Sequence, residues 1–206
     1  GATMSHLRFG DQPIRSTYLI DEADYIGCHV QAYVNQYDVL KGLRKGGNFV
    51  LNCIWTEEEL ESKLPAKMKR FIAENEINLY TINATKIATE IGLGRRINMI
   101  MQSAFFKLAE IIPEDEAKDY LKASIKKAYG KKGDKVVNMN FEAVERGMNS
   151  LVKINVPASW KDAEDAEVVE TKKVTDFVKN IMNPMNALEG DKLPVSAFNG
   201  IEDGTF

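Results

Sequence analysis

The sequence contains little cysteine and no long apolar run, and both absences limit what the chain can do. Cys28 and Cys53 are the only cysteines among 206 residues. Two thiolates cannot hold an iron–sulfur cluster by themselves, because such clusters take about four. Each cysteine lies in an apolar run, which predicts two buried free thiols in a reducing cytoplasm and leaves a disulfide open. No apolar run approaches the roughly 20 residues that a membrane-spanning helix needs, so no membrane partner is expected.

Neither sign of charge dominates the sequence. It carries 27 basic and 30 acidic residues, which gives a formal net charge of −3. Proteins that bind nucleic acid usually show a basic excess, so nucleic acid is not an expected partner. No signal-peptide pattern opens the chain, which favours a cytoplasmic location. The 206 residues, 44% of them hydrophobic, suffice for a sizeable core.

Common cofactor-binding and catalytic motifs are absent as well. No G-x-G-x-x-G follows a predicted strand, and no G-x-x-x-x-G-K-[ST] occurs. Gly92 and Gly94 give only a fragment of such a loop. No acidic residue is placed to orient His6, and no nucleophile elbow is present. We therefore assign no catalytic residue and no metal ligand.

Apolar runs alternate with helix-like segments along the first part of the chain. Four strands are predicted, at residues 16–20, 24–30, 48–54 and 78–82. This alternation indicates an α/β fold, which we expect to be a three-layer α/β/α sandwich around a mostly parallel or mixed sheet. Because the strands crowd the first 82 residues, we expect the N-terminal βα unit of the fold to precede Gly1.

Local signals predict where the helices begin and end. Thr56 and Glu59 form a capping box before a short helix, Pro65 and Pro113 suit first turns, and Asn83 suits an N-cap. The other predicted helices span residues 34–43, 65–75, 84–91, 97–112, 113–130, 141–151 and 174–181. The acidic stretch 158–170 is predicted to be a loop.

A first candidate site begins at Asn83, directly after the strand predicted at 78–82. Parallel α/β sheets bind ligands where strands end and helices begin. Gly92 and Gly94 would allow a positive φ and a close backbone approach. A structural interpretation is equally open, with Asn83 only capping a helix and the glycines only turning the chain.

Four polar side chains follow these glycines. Arg95 and Arg96 offer forked donors suited to phosphate. Asn98 and Gln102 lie four residues apart, so both amides share one face of an otherwise apolar helix. The pattern suits a phosphate-bearing or amide-rich ligand. It also leaves open that the arginines pair with surface acids.

The second candidate site is the segment from Ser5 to Gly10. His6 and Arg8, with Ser5 beside them, could stabilise an anionic ligand. If this segment is a strand, alternation places Ser5 on one side and His6 and Arg8 on the other. An edge strand whose His6 and Arg8 face solvent or another domain is the alternative.

Several segments together resemble a known family. They are 3–16, 51–53, 80–84, 90–94, 96–107, 131–133, 136–140 and 194–206. They resemble pyruvate:ferredoxin (flavodoxin) oxidoreductases, in the domain equivalent to the gamma subunit (domain III) of 2-oxoacid:ferredoxin oxidoreductases. The resemblance implies a gamma-type domain at 1–183 and a linker toward the next domain at 184–206. In the family, a glycine-rich strand–turn–helix and a Lys-rich turn precede the equivalent of Gly1, so one face of the ligand site is expected to lie outside this chain.

The resemblance also implies a function. The family decarboxylates pyruvate oxidatively to acetyl-CoA and CO2, using thiamine diphosphate, Mg and [4Fe–4S] clusters, and passes electrons to ferredoxin or flavodoxin. The implied parent is a homodimer, its cofactors are expected outside this chain, and the isolated chain is expected to be inactive. The residues expected to contact coenzyme A (CoA) are Asn83, Arg95, Arg96, Asn98 and Gln102. Ser5, His6 and Arg8 are expected to face the catalytic domains. The alternative is a purely structural domain of the same complex without ligand contacts.

Overall fold

The computed structural model of the chain describes residues 2–15, 17–165 and 175–201. A four-stranded sheet with the order β1-β2-β3-β4 forms its centre. The strands are β1 (Ala23–Cys28), β2 (Leu43–Asn52), β3 (Asn78–Ile82) and β4 (Val152–Lys153). The first three run parallel to one another, and β4 pairs antiparallel with β3. The prediction of an α/β fold with a mostly parallel, mixed sheet is therefore confirmed.

Helices fill the connections between the strands. The α-helices are α1 (Glu57–Lys63), α2 (Ala66–Glu74), α3 (Ala84–Glu90), α4 (Asn98–Ala109), α5 (Glu114–Tyr129), α6 (Asp134–Asn149) and α7 (Asn183–Asn186). Short 3₁₀ turns occupy Gln31–Asn35, Gly130–Lys132, Ala158–Asp162, Gly190–Lys192 and Val195–Phe198, and a π-helical turn occupies Val178–Met182. Within the described ranges, no helix is both long and apolar enough to cross a membrane.

Side chains of β2 alternate between two cores because successive residues of a strand point to opposite faces of the sheet. Phe49 and Leu51 belong to one core, which α1, α2 and the turn Ala158–Asp162 cover. Val50 belongs to the other core, which α3, α4 and α6 cover. α5 packs on the outer side of α6, where Ile125 is buried with Val144. Both faces of the sheet are thus covered, as expected for a three-layer sandwich.

Several predicted helix ends are confirmed, together with the capping interactions on which the predictions were based. The capping box is formed, since the Thr56 hydroxyl accepts from the Glu59 amide and the Glu59 carboxylate accepts from the Thr56 amide. The Asn83 side chain caps α3. α5 spans nearly all of the helix predicted at 113–130, with three acidic residues in its first turn and two lysines in its last. These signals are local, so they act in the fold as they do in an isolated helix.

Other predictions are wrong. Residues 17–20 form no strand, and Ser16 lies outside the described residues. The helix predicted at 34–43 is a 3₁₀ turn that ends at Asn35, and the chain turns again before β2, where the Gly42 carbonyl accepts from the Ala23 amide. The loop predicted at 158–170 contains the buried Trp160, whose indole donates to Glu61, and its residues 166–170 lie outside the described part.

The helix predicted to follow Asn140 begins earlier, at Asp134, and contains Asn140 as a buried residue. Its Nδ2 donates to the Val136 carbonyl 2.8 Å away, so this side chain bonds within the helix and does not cap it. The helix predicted at 174–181 is helical from residue 176 onward, and residue 174 lies outside the described part. The division at residue 183 stays a prediction.

Candidate functional site

The turn between α3 and α4 is fixed by its glycines. Gly92 has a φ of 86° and Gly94 a φ of 61°, as the sequence predicts for left-handed positions. The Gly92 amide donates to the Thr89 carbonyl at 3.1 Å, and the Leu93 amide donates to the Ala88 carbonyl at 2.7 Å. These two bonds form a Schellman motif, which satisfies carbonyls at the end of α3. The chain is thereby redirected sharply into Arg95 and the start of α4.

The N-terminus of α4 is left without a cap. Ile97 occupies the N-cap position, offers no side-chain acceptor, and no acidic residue follows in the first turn. The Met101 amide donates to the Ile97 carbonyl, whereas the amides of Asn98, Met99 and Ile100 have no acceptor among the described residues. Free amides and the positive end of the helix dipole together attract anions.

Four exposed polar side chains surround this helix start. They are Arg95, Arg96, Asn98 and Gln102. None makes a hydrogen bond, an ion pair or a ring contact with the residues that the structure describes. In contrast, Arg44, Arg70 and Arg146 are each paired with carboxylates. The described structure thus gives Arg95 and Arg96 no acidic partner.

Asn83 lies apart from these four side chains. It follows β3, and its Oδ1 accepts from the Lys86 amide at 2.9 Å, while its Nδ2 has no acceptor among the described residues. It borders an open cleft of about 440 Å³ at the carboxyl ends of β2 and β3. The cleft is lined by residues 53–55, 81–83, 86, 87, 90, 146, 150 and 152. The lining includes none of the four side chains at α4, so the predicted ligand set divides between two places.

A buried asparagine side chain that the sequence pattern did not predict connects segments at the carboxyl ends of the strands. Asn52, at the end of β2, is only 7% exposed. Its Nδ2 donates to the His29 carbonyl at 2.9 Å, and its Oδ1 accepts from the Ala84 amide at 2.9 Å. One side chain thus joins the residues after β1 to the start of α3. The only signal in the sequence is a polar residue inside the apolar run 48–54.

The charged side chains of the cleft are two cations and one carboxylate, which lie close together. Glu90 of α3 pairs with Arg146 of α6, and Lys86 lies 3.9 Å from the same carboxylate. The hydrogen bond from Arg146 lowers the pKa of the Glu90 carboxyl below its usual range. This pair links α3 to α6 at the rim of the cleft.

The segment before β1 folds back on itself, and residues 5–10 form no strand. The His6 Nδ1 accepts from the Ile20 amide at 3.0 Å, and the Arg8 Nη2 donates to the Leu19 carbonyl at 3.0 Å. The His6 and Arg8 side chains therefore lie on the same side, but both bond to the backbone of the segment that contains them. The Ser5 side chain is exposed and makes no hydrogen bond with the described residues.

The two cysteines are buried and free, as predicted. Burial raises the pKa of both thiols, Cys28 and Cys53, which keeps them protonated at neutral pH. Among the described residues, no group of three His, Cys, Asp or Glu side chains is placed to hold a metal ion.

Comparisons with known proteins agree with this fold. The family model described as "Pyruvate ferredoxin/flavodoxin oxidoreductase" matches residues 1–150, and a model described as a domain of unknown function matches residues 163–206. The PORC subunit of pyruvate oxidoreductase from Thermotoga maritima has a similar solved structure, with a TM-score of 0.52 over 65% of this chain and 66% of that one. At 17% identity, this similarity supports the fold alone.

Curated relatives are similar along the whole chain. The pyruvate-flavodoxin oxidoreductase of Enterobacter agglomerans is 61% identical over all 206 residues, which span 18% of its length. The pyruvate:ferredoxin oxidoreductase of Moorella thermoacetica is 55% identical over the same residues, which span 17% of its length. The chain thus spans less than a fifth of these relatives. It belongs to the pyruvate ferredoxin/flavodoxin oxidoreductase family.

Proposed function

We propose that this chain is part of an enzyme that oxidatively decarboxylates pyruvate to acetyl-CoA and CO2. Electrons pass to ferredoxin or flavodoxin, and the whole enzyme is a cytoplasmic homodimer. The proposal is supported by the family and by the names of relatives that match the chain over its full length. Within this enzyme, the chain contributes contacts to CoA and packs against the other domains.

The cofactors of the reaction belong to other parts of the enzyme. The donor set of this chain does not fit an iron–sulfur cluster, because its only two thiols, Cys28 and Cys53, are buried and protonated. Thiamine diphosphate and Mg would likewise be held elsewhere in the longer polypeptide. We therefore assign this chain a role in binding the acyl acceptor and derive no redox step from it.

The start of α4 is the observation that carries the CoA assignment. Three amides that have no acceptor among the described residues lie at an uncapped helix start, next to two arginines for which the same residues provide no acidic partner. CoA brings phosphates, which the forks of Arg95 and Arg96 and the free amides suit. It also brings an adenine with donors and acceptors, which the amides of Asn98 and Gln102 can match.

Asn83 takes a secondary place in this proposal. Its Oδ1 is already used to cap α3, but its Nδ2 remains available as a donor at the rim of the cleft. We assign it a contact to a different portion of CoA from the one that Arg95 and Arg96 bind. Ser5, His6 and Arg8 belong to the segment that faces the other domains.

The proposal is tested in the full-length enzyme with Asn98→Ala. We expect the KM for CoA to rise more than the KM for pyruvate, because the amide contacts only CoA. Asn149→Ala is the matched control, since the Asn149 side chain is exposed at the end of α6 and makes no hydrogen bond with the described residues. Equal changes in both KM values would contradict the CoA assignment.

A structural role without ligand contacts is the second candidate. The exposed apolar side chains of the segment before β1 favour it, because such a surface suits contact with other domains. Under this alternative, Asn98→Ala and Arg96→Ala weaken the assembly of the enzyme while the KM for CoA stays normal. Sedimentation and CoA kinetics on the same variants separate the two candidates.

A further inference from the structure

The buried side chain of Asn52 is bonded directly beside Asn83. Its Oδ1 accepts from the amide of Ala84 at 2.9 Å, and Ala84 is the residue that follows Asn83. We propose that Asn52 is a positioning residue, which holds the Asn83 side chain in the orientation that contacts CoA. This inference rests on the proposed CoA contact of Asn83, and it adds a residue that does not itself touch the ligand.

The backbone of Asn83 departs from the conformation that is usual at the start of a helix. Thr56, the N-cap of α1, has the extended backbone typical of this position, with a ψ of 169°. Asn83, the N-cap of α3, has a φ of −93° and a ψ of 70°. The ψ of a residue sets the direction of the next amide, and the Ala84 amide donates to the Asn52 Oδ1. Asn52 therefore supports the backbone conformation of Asn83.

Asn52 is itself held by its surroundings. It ends β2, which lies between β1 and β3 in the sheet, and it is buried. Its Nδ2 donates to the His29 carbonyl at 2.9 Å, and the Thr85 Oγ1 is a further acceptor at 3.4 Å. A half-turn of the amide group would set its oxygen against the His29 carbonyl and its NH2 against the Ala84 amide. Only one orientation of Asn52 therefore satisfies these partners.

The side chain of Asn83 is fixed at a second point. Its Oδ1 accepts from the Lys86 amide at 2.9 Å, which leaves Nδ2 without an acceptor among the described residues. Because Asn52 supports the backbone and the Lys86 amide holds Oδ1, the direction of Nδ2 is set before a ligand arrives. A donor that is ordered in advance loses less side-chain entropy on binding, which corresponds to an affinity gain of about twofold to tenfold.

A purely structural role for Asn52 makes a different prediction. In that case, the loss of CoA binding should follow the loss of stability in every variant. If Asn52 acts through Asn83, the KM for CoA follows the presence of an acceptor at position 52. Asn52→Ala removes this acceptor, whereas Asn52→Asp keeps an oxygen for the Ala84 amide and loses the donor to the His29 carbonyl. Both variants lose stability, and only Asn52→Ala should bind CoA poorly.

Steady-state kinetics of the full-length enzyme test the positioning role. We expect Asn52→Ala to raise the KM for CoA about twofold to tenfold and to leave the KM for pyruvate unchanged. Asn52→Asp should keep the KM for CoA of the parent enzyme. In an Asn83→Ala background, Asn52→Ala should add no further rise, because the side chain that Asn52 positions is gone.

Asn78→Ala is the matched control. Asn78 begins β3, and its Nδ2 donates to the Gly46 carbonyl at 2.9 Å. This bond also joins a side chain to a remote backbone group, but it lies at the opposite end of β3 from Asn83. The KM for CoA of Asn78→Ala should equal that of the parent enzyme.

Hydrogen exchange followed by mass spectrometry gives a readout that does not use CoA. Asn52→Ala should speed exchange at Ala84 and also at Lys86, whose amide is capped by Asn83. Unchanged exchange at Lys86 would overturn the positioning role. The same conclusion would follow if Asn52→Ala raised the KM for CoA equally with and without the Asn83 side chain.

Failure of the CoA assignment gives a different pattern. An unchanged KM for CoA in Asn83→Ala would contradict the proposed contact of Asn83, and hydrogen exchange at Lys86 would then decide whether Asn52 orients this side chain. Should Asn52→Ala not fold, Asn52→Asp carries the test. A KM for CoA that rises as much in Asn52→Asp as in Asn83→Ala would overturn the inference, because the acceptor at position 52 is still present.

Discussion

Gly147 of α6 lies so close to Ser103 of α4 that a Cβ at position 147 would stand 2.1 Å from the Ser103 Oγ. The same Cβ would also stand 2.6 Å from the Ile100 carbonyl oxygen, which belongs to the backbone and cannot turn away. The absence of a side chain at 147 is thus what allows the two helices to meet. α4 is held against the domain partly through this contact.

Gly147→Ala is expected to destabilise the chain, although alanine normally favours a helix over glycine. The added methyl group must push α4 and α6 apart, and overpacking of this kind costs about 1–3 kcal/mol. Urea unfolding followed by circular dichroism measures the change. Gly130→Ala is the matched control, because Gly130 has helical backbone angles and open space around its Cβ position. A larger loss for Gly130→Ala than for Gly147→Ala would contradict the steric explanation.

Asn52→Ala is expected to destabilise the carboxyl edge of the sheet. The substitution leaves the Ala84 amide and the His29 carbonyl without their side-chain partner, and an unsatisfied buried group costs about 1–3 kcal/mol. Chemical unfolding measures the loss, and hydrogen exchange of the Ala84 amide should become faster. The exposed Asn149→Ala serves for comparison. Slow hydrogen exchange of the Ala84 amide in Asn52→Ala would show that another acceptor had replaced the Asn52 side chain.

The Glu90–Arg146 pair predicts a pH dependence of stability. Because the hydrogen bond from Arg146 lowers the pKa of Glu90, the folded chain binds this proton less readily than the unfolded chain. The stabilisation is complete above the carboxyl's ordinary pKa of about 4.3 and is lost as the pH falls through the lower, folded value. The advantage of the parent chain over Glu90→Gln should therefore shrink on acidification, as measured by urea unfolding at a series of pH values.

High salt should reduce the stability advantage of the parent chain over Glu90→Gln. The side chains of Glu90 and Arg146 are both partly exposed, and salt screens such charges. Glu116→Gln is the control, since Glu116 is exposed and has no partner among the described residues. An advantage over Glu90→Gln that is constant from neutral to acidic pH would rule out an ionic contribution from this pair.

Arg96→Ala in the full-length enzyme is expected to raise the KM for CoA by about tenfold to a hundredfold. A hydrogen bond to a charged group contributes about 1.5–3 kcal/mol, and 1.4 kcal/mol corresponds to a factor of about ten. Arg96→Lys should recover only part of the loss, because lysine keeps the charge without the fork. Lys127→Ala removes an exposed positive charge on α5 as a control.

Pantetheine sharpens this test because it carries the thiol of CoA without the nucleotide phosphates. The parent enzyme and Arg96→Ala should use pantetheine equally well if Arg96 binds phosphate. A similar defect with pantetheine and with CoA would instead indicate that Arg96 supports the structure of the site.

Sequence patterns were sufficient where a structural feature depends on neighbours along the chain. The alternation of Phe49, Val50 and Leu51 between two cores follows from strand geometry. The cap at Thr56 and the positive φ of Gly92 follow from local hydrogen bonds and from the lack of a Cβ. Such features could be predicted because they need no distant partner.

Other features depend on contacts that are remote in sequence. The helix predicted at 34–43 does not extend beyond Asn35, and instead Gly42 takes a φ of 81° and its carbonyl accepts from the Ala23 amide, a partner that is remote in sequence. Trp160 is buried in a stretch predicted to be a loop, because α1 supplies Glu61 as its hydrogen-bond partner.

The fold class, the membership of the family and the residue types at the proposed CoA contacts can all be read from the order of the amino acids. Periodicity, caps and motifs depend on residues that are close along the chain, so they can be recognised without knowledge of the tertiary contacts. The folded structure was needed to see that Asn52 joins the residues after β1 to the start of α3 and that Gly147 lets α4 meet α6. It also decided that His6 and Arg8 bond to the backbone of Ile20 and Leu19. The physical reason is that each of these depends on atoms brought together from distant positions, whose separation no local pattern records.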